Sequence, residues 1–227
     1  MVGELGGQLP GGGRALFTGR GEGNMSSAGG LDRESGPANR EALRARTGAP
    51  GLARGFQVHG TAVTRVRRPV GDQPGNEGLP RADGQATALR GQAVMVLAAD
   101  CLPVALGCEG AVAVVHAGWR GLGEGVLEEG VAALRELGGG GPIGGLLGPC
   151  AGPCCYEVGR EVLELLGQPG PGPRTIDLRA VARARLTAAG VGEIIELGGC
   201  TICDEGFFSH RREGELAGRQ AAVAWLS

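Results

Sequence analysis

Short apolar runs bounded by glycine and proline alternate along this chain with stretches in which leucine and valine recur at helical spacing. Ala93-Val94-Met95-Val96-Leu97-Ala98-Ala99 and Ala111-Val112-Ala113-Val114-Val115 predict two buried strands. Residues 14–18, 56–59, 61–66, 143–147, 194–195 and 221–226 predict further strands, with a tight break at Gly60. Helices are predicted over residues 39–46 and from Gly121 or Gly123 to the Gly138 cluster, on Leu127, Val131, Leu134 and Leu137. Another is predicted across Val158, Val162, Leu165 and Leu166. A last one presents Leu178, Ala182, Leu186 and Ala189 behind an Asp177 cap. Residues 1–13 read as a frayed, glycine-rich N-terminus, residues 19–27 as a flexible loop and residues 67–84 as a polar loop. There is no internal repeat. Strands and helices mix without strict alternation, which predicts one layered α/β (α+β) domain over residues 14–227 rather than a doubly wound nucleotide-binding sheet.

The two central strands each deliver a reactive group at one end. The first runs into Asp100-Cys101 and the second into His116, each followed by glycine or proline, as where a strand end opens into a site. Upstream, Gln57-Val58-His59-Gly60 offers another imidazole. His59, Cys101 and His116 together make a candidate metal site, although their long, unequal intervals are no finger or ribbon pattern. The same atoms also suit a Cys101–His116 nucleophile and base, or two satisfied histidines and a buried thiol. Spacing leaves all three open. The glycines around Trp119-Arg120, just before a helix, could let Arg120 and backbone N–H groups hold an anion. Cys200-Thr201-Ile202-Cys203 has zinc-ligand spacing. It lacks a second such pair, and the partners imagined for it, Cys150 and Cys154, lie in a different kind of segment, so a structural zinc site is not expected.

The net charge of −2 over 227 residues, with no arginine stripe interleaved with aromatics, argues against nucleic acid as a partner. All 22 basic residues are arginine, which rules out a lysine nucleophile or Schiff base. No apolar run reaches membrane-spanning length and the N-terminus lacks a signal-peptide pattern, so a cytoplasmic protein with no membrane partner is expected. Seven cysteines, with Cys154 and Cys155 adjacent, fit a reduced compartment with metal or catalytic roles better than a disulfide framework.

In chain order, QVHG at Gln57, ADG at Ala82, ADCLPV at Ala99, HAGWRG at His116, GPC and GPCCYEV from Gly148, and FFS with RR from Phe207 form an ordered set. These motifs resemble a widespread bacterial family once labelled polyphenol oxidase or laccase. Its members have been reassigned as zinc-dependent purine nucleoside phosphorylases with adenosine deaminase activity. The resemblance runs from Phe17 to Leu226 and implies a single four-layer α-β-β-α domain with mixed sheets. It implies His59, Cys101 and His116 as metal ligands, Cys101 and His116 as catalytic residues, and zinc as the cofactor, with copper as the alternative. Arg20, Arg120, Tyr156 and Arg211 are implied around the purine, ribose or phosphate. The implied substrates are phosphate and a purine nucleoside (adenosine, inosine or methylthioadenosine), and the expected state is a monomer. Two imidazoles and a thiolate would leave one open position on zinc, the layout of a catalytic site, with Asp100 as an acid or base nearby.

The chain departs from the family pattern in places. Residues 21–37 lack its Gly-Val-Ser and Asn-Leu-Gly signatures, His210 stands where tyrosine is usual, and Cys203 matches no family cysteine. The alternatives are a copper-dependent polyphenol oxidase, a Cys-His hydrolase and a non-catalytic nucleoside-binding regulatory protein. Three histidines cannot build a trinuclear copper cluster.

Overall fold

Period-two alternation sends the side chains of the central strands to opposite faces, and a four-layer α-β-β-α stack follows from it. The computed structural model describes residues 5–168 and 174–226. In chain order these form β1 (Leu5–Leu9), β2 (Gly13–Phe17), α1 (Gly36–Thr47), β3 (Gly51–Arg54), β4 (Val63–Val66), β5 (Gly84–Thr87), β6 (Gln92–Ala98), β7 (Leu102–Glu109) and β8 (Ala111–Ala117). There follow α2 (Trp119–Glu124), α3 (Val126–Glu136), β9 (Gly140–Leu147), α4 (Arg160–Leu165), α5 (Leu178–Ala188), β10 (Val191–Glu196), α6 (His210–Glu213) and β11 (Gln220–Leu226). One sheet has the order β1-β2-β11-β6-β3 and the other β10-β9-β7-β8-β5-β4. Both are mixed, with β3–β6, β4–β5 and β9–β10 parallel and the remaining pairs antiparallel.

Three apolar layers fill the three interfaces. Phe17, Val94 and Val96 of the first sheet meet Ala105, Val112 and Val114 of the second. Leu43 of α1 covers Leu52, Met95 and Val223 on the first sheet's outer face. Leu127 and Leu134 of α3 and Leu186 of α5 cover Val104, Leu106 and Val115 on the second. Along β8, Ala113 and Val115 therefore face the helices, whereas Val112, Val114 and, by the same alternation, His116 face the gap between the sheets. Asp177 caps α5, accepting hydrogen bonds from the N–H groups of Arg179 and Ala180. Among the described residues no helix is long and apolar enough to cross a membrane.

The structure corrects the sequence reading at five places. Residues 5–13, expected to be frayed, form β1 and a 3-10 turn at Pro10–Gly12; residues 1–4 lie outside the described residues. Glycine is required for this hairpin, since a Cβ on Gly6 would stand 2.6 Å from the Ala15 carbonyl oxygen. Residues 102–109 form β7 although Pro103 and Gly107 interrupt its apolar pattern. The end of the expected loop at 67–84 opens β5. Residues 56–59 make no strand beyond a bridge from Phe56 to Arg81, because the following N–H groups turn to a side chain. The single helix expected over 121–138 breaks into α2 and α3 at Gly125, which has φ +105°.

Candidate metal centre and substrate cavity

The chain crosses from one sheet to the other between β3 and β4 and again between β6 and β7. His59 lies in the first crossing and Cys101 in the second, while His116 reaches the same gap from β8. The ligand atoms of the three lie within 4.8 Å of one another. The two imidazoles meet edge to face, with ring centroids 5.0 Å apart. Both crossings need unusual backbone, since His59 (φ +60°) and Asp100 (φ +83°) adopt left-handed conformations that non-glycine residues rarely take.

Buried carboxylates hold those conformations. Asp83 accepts hydrogen bonds from the N–H groups of Val58 (3.0 Å), His59 (2.9 Å) and Gly60 (2.9 Å). Its Oδ1 also lies 2.9 Å from Nδ1 of His116, which fixes that ring and leaves Nε2 as its remaining donor. Asp100 accepts from the Thr201 hydroxyl (2.7 Å) and the Arg211 N–H (2.6 Å), so both its oxygens are engaged in holding the loop. Gly118 closes the cluster from the other side. A Cβ there would stand 3.0 Å from Cδ2 of His59 and 3.1 Å from Sγ of Cys101.

The electrostatics suit a cation. Burial pushes the Cys101 thiol up, but the charge of His116 and hydrogen bonds with His116 and His59 outweigh it and hold the thiol down, at about 6. Burial likewise works against the His116 imidazolium, and the Cys101 thiolate and Asp83 carboxylate more than offset it. Burial would raise Asp83, yet His116 and the loop N–H groups hold it below its usual range. A thiolate and two imidazoles, one of them oriented by a carboxylate, are a donor set that fits zinc with an open position. A Cys101–His116 dyad would use the same thiolate but leave the convergence of His59 without a purpose.

These residues open onto a cavity of about 440 Å³, also lined by Phe56, Trp119, Tyr156, His210, Arg211 and Arg219. Of the residues implied around the substrate, Tyr156 and Arg211 are brought to it, with the Arg211 guanidinium 5.2 Å from the Tyr156 ring centroid. Arg20 and Arg120 are not among its lining. Arg20 is bound to Glu213 and the carbonyls of Glu205 and Phe207, and Arg120 is exposed over the Trp119 ring at 4.6 Å. Sequence reasoning missed Asp83 and Arg219. Asp83 carried a signal, the ADG motif itself, to which no role was attached. Arg219, half-buried before the last strand and close enough to feel the charges of Cys101 and Asp100, carried none. A larger cavity of about 620 Å³ beside β3 and β4 contains none of the His/Cys set.

Residues 17–227 match the model of a family described as multi-copper polyphenol oxidoreductase laccase. A purine nucleoside phosphorylase of Xylella fastidiosa is 40% identical over 207 residues, which cover 83% of this chain and 77% of that protein. A purine nucleoside phosphorylase of Streptomyces coelicolor is 36% identical over 217 residues, covering 89% and 87%. Among solved structures, a Neisseria meningitidis protein superposes with a TM-score of 0.83 at 31% identity, covering 98% of each chain. YlmD from Geobacillus stearothermophilus gives a TM-score of 0.81 at 29% identity, covering 95% of this chain and 92% of its own.

Proposed function

The chain belongs to the multi-copper polyphenol oxidoreductase laccase family, and we propose on that premise that it is a purine nucleoside phosphorylase that also deaminates adenosine. Its substrates are phosphate with adenosine, inosine or methylthioadenosine, and it acts as a cytoplasmic monomer. One observation carries this reading: a single cavity of small-molecule size brings His59, Cys101 and His116 together with aromatic rings and three arginines, Arg54, Arg211 and Arg219. The names of the curated relatives support the phosphorylase half.

In phosphorolysis a phosphate oxygen bonds to the ribose C1′ while the glycosidic bond breaks, its electron pair and a proton going to the purine. Arg219 and Arg211, which line the cavity, hold the phosphate dianion in this reading, and the partial burial of Arg219 strengthens its charge-assisted contact. Phe56 and Trp119 offer flat apolar surfaces to the base. Burial pushes the Tyr156 phenol up to about 12, so it meets the nucleoside as a neutral hydrogen-bond donor. Asp83 keeps His116 in one orientation throughout. His59, Cys101 and His116 would hold the zinc, which would supply Lewis-acid chemistry when bound. Copper phenol oxidation is the poorer reading, because only His59 and His116 of the three histidines belong to the ligand cluster and three histidines in all cannot form a trinuclear set.

The test is to incubate the zinc-loaded protein with inosine, with and without phosphate, and with adenosine. Hypoxanthine and ribose 1-phosphate should appear only with phosphate, and inosine should form from adenosine without it. Conversion of neither nucleoside would overturn the reading in favour of a binding protein. Arg219→Ala should raise KM for phosphate by about tenfold or more, while Arg120→Ala changes it by less than about twofold.

A further inference from the structure

The loops that follow the parallel neighbours β9 and β10 leave the sheet side by side and stay joined. Cys150 and Cys200 form an isolated parallel bridge, and the Thr201 N–H donates to the Cys150 carbonyl at 2.9 Å. Beyond that bridge each loop turns back on itself and presents two cysteines. Cys154 and Cys155 come from the first, Cys200 and Cys203 from the second, and the four sulfurs lie within 4.8 Å of one another. Cys154 and Cys155 are 3.5 Å apart, Cys154 and Cys203 3.5 Å, and Cys155 and Cys203 2.8 Å. A tetrahedron with metal–sulfur bonds of about 2.3 Å has edges of about 3.8 Å, so a small adjustment would seat an ion among them. Cys150, considered from the sequence as a ligand, is buried apart from this group.

The cluster does not belong to an apolar core. Cys154 and Cys203 are exposed and the other two half-buried. Backbone N–H groups gather on one of the four sulfurs, that of Cys200. Gly152 donates to Sγ of Cys200 at 3.2 Å, and the N–H groups of Ile202 and Cys203 also point at that sulfur, so that Cys-x-x-Cys folds into a knuckle. These donors outweigh the burial that would raise the Cys200 thiol and bring it down to about 7. A Cβ on Gly152 would lie 3.0 Å from Cβ of Cys200 and 3.5 Å from Sγ of Cys154, so the first loop packs closely on the second here. Donors aimed at Cys200 stabilise its thiolate, the form that binds metal, while the neighbouring thiols hold Cys154, Cys155 and Cys203 above their usual value until an ion takes the place of their protons.

We propose that Cys154, Cys155, Cys200 and Cys203 bind a second metal ion, a zinc in a closed four-thiolate site that crosslinks the two loops. An all-thiolate set selects a soft ion over calcium or magnesium and leaves no position for substrate, so the site is structural. Zinc displaces the thiol protons to solvent and leaves a net charge of about −2. Arg212 sits beside that charge, donating to the carbonyls of Thr201 and Ile202 within the knuckle. The crosslink bears on the cavity: Tyr156 directly follows Cys155, and Arg211 is tied through Asp100 to Thr201. The proposal does not depend on the activity assigned to the cavity.

Elemental analysis of the purified, zinc-equilibrated protein should give about two equivalents of zinc per chain. His59→Ala/His116→Ala and Cys203→Ser should each retain about one. Cobalt in place of zinc should show the charge-transfer bands of a tetrahedral four-sulfur site in wild type and in the histidine variant, and lose them in Cys203→Ser. Because Cys203→Ser could fail to fold, wild type alone gives a second reading: its four cluster thiols should resist alkylation until a chelator is added. About one zinc per wild-type chain with these thiols freely alkylated would overturn the proposal. So would a Cys155–Cys203 disulfide in protein isolated without reductant, or iron in place of zinc.

Discussion

Cys101 lies beside the cavity between two histidines, one of them fixed by a buried carboxylate, whereas Cys154, Cys155, Cys200 and Cys203 crowd together near the surface, with backbone N–H groups gathered on Cys200. In the first cluster the donors are mixed and come from three separate places in the chain. Such a set leaves an ion coordinatively unsaturated, and the buried Asp83 tunes one ligand. In the second the donors are alike and come from two adjacent loops, which saturates an ion and isolates it from substrate. On the two proposals above, the same sulfur chemistry would serve reactivity in one place and cohesion in the other, according to what completes the shell.

The sharpest test of that contrast is Cys101→Ala or His116→Ala. Either should lower phosphorolysis by on the order of a thousandfold or more, because several kcal/mol of charge stabilisation goes with the ion. Activity that survived in both variants would move the chemistry elsewhere. Asp83→Asn comes next. It keeps the ligands but loses the anion that orients His116 and gathers the loop N–H groups, so zinc affinity or kcat/KM should fall about 10–100-fold. Competition with a chelating dye checks the affinity. The smallest effect on kcat belongs to Cys203→Ser, at less than about fivefold. Its melting temperature should fall by about 5–10 °C, as expected when an ion at about a hundred times its Kd no longer stabilises a chain of this size. If Cys203→Ser instead abolished kcat without lowering Tm, the two clusters would have exchanged roles.

Individual strands were legible where the apolar pattern was unbroken: 93–99 and 111–115 became β6 and β8, and the Asp177 cap opened α5 as expected, while the four layers came from the family resemblance. The pattern failed where proline or glycine sits inside a strand for a tertiary reason. Pro103 is tolerated opposite His116 in β7, and Gly6 is demanded by the approach of Ala15. His59, Cys101 and His116 were readable as a set because strand ends deliver them, yet local residues could not choose between ion, dyad and core. Asp83 makes that choice easier, through hydrogen bonds visible only once the loop at 58–60 is folded. The four-cysteine cluster was hidden for a similar reason. Cys154 and Cys155 are adjacent rather than spaced as a pair, and only the parallel pairing of β9 with β10 brings them to Cys200 and Cys203.

The passage of the chain from sheet to sheet at His59 and Cys101 has a kinetic consequence. Cys101 and His116 meet at one end of the β7–β8 hairpin, but His59 comes from the passage between the two sheets, so that hairpin alone does not contain the full donor set. An ion that needs all three donors would be captured only after that passage has docked against the hairpin. An interaction absent from the transition state leaves the folding rate untouched and acts on the reverse step. Metal held at this seam would work as a latch: it would do little to help the chain find its structure and would mainly lengthen the time the structure lasts.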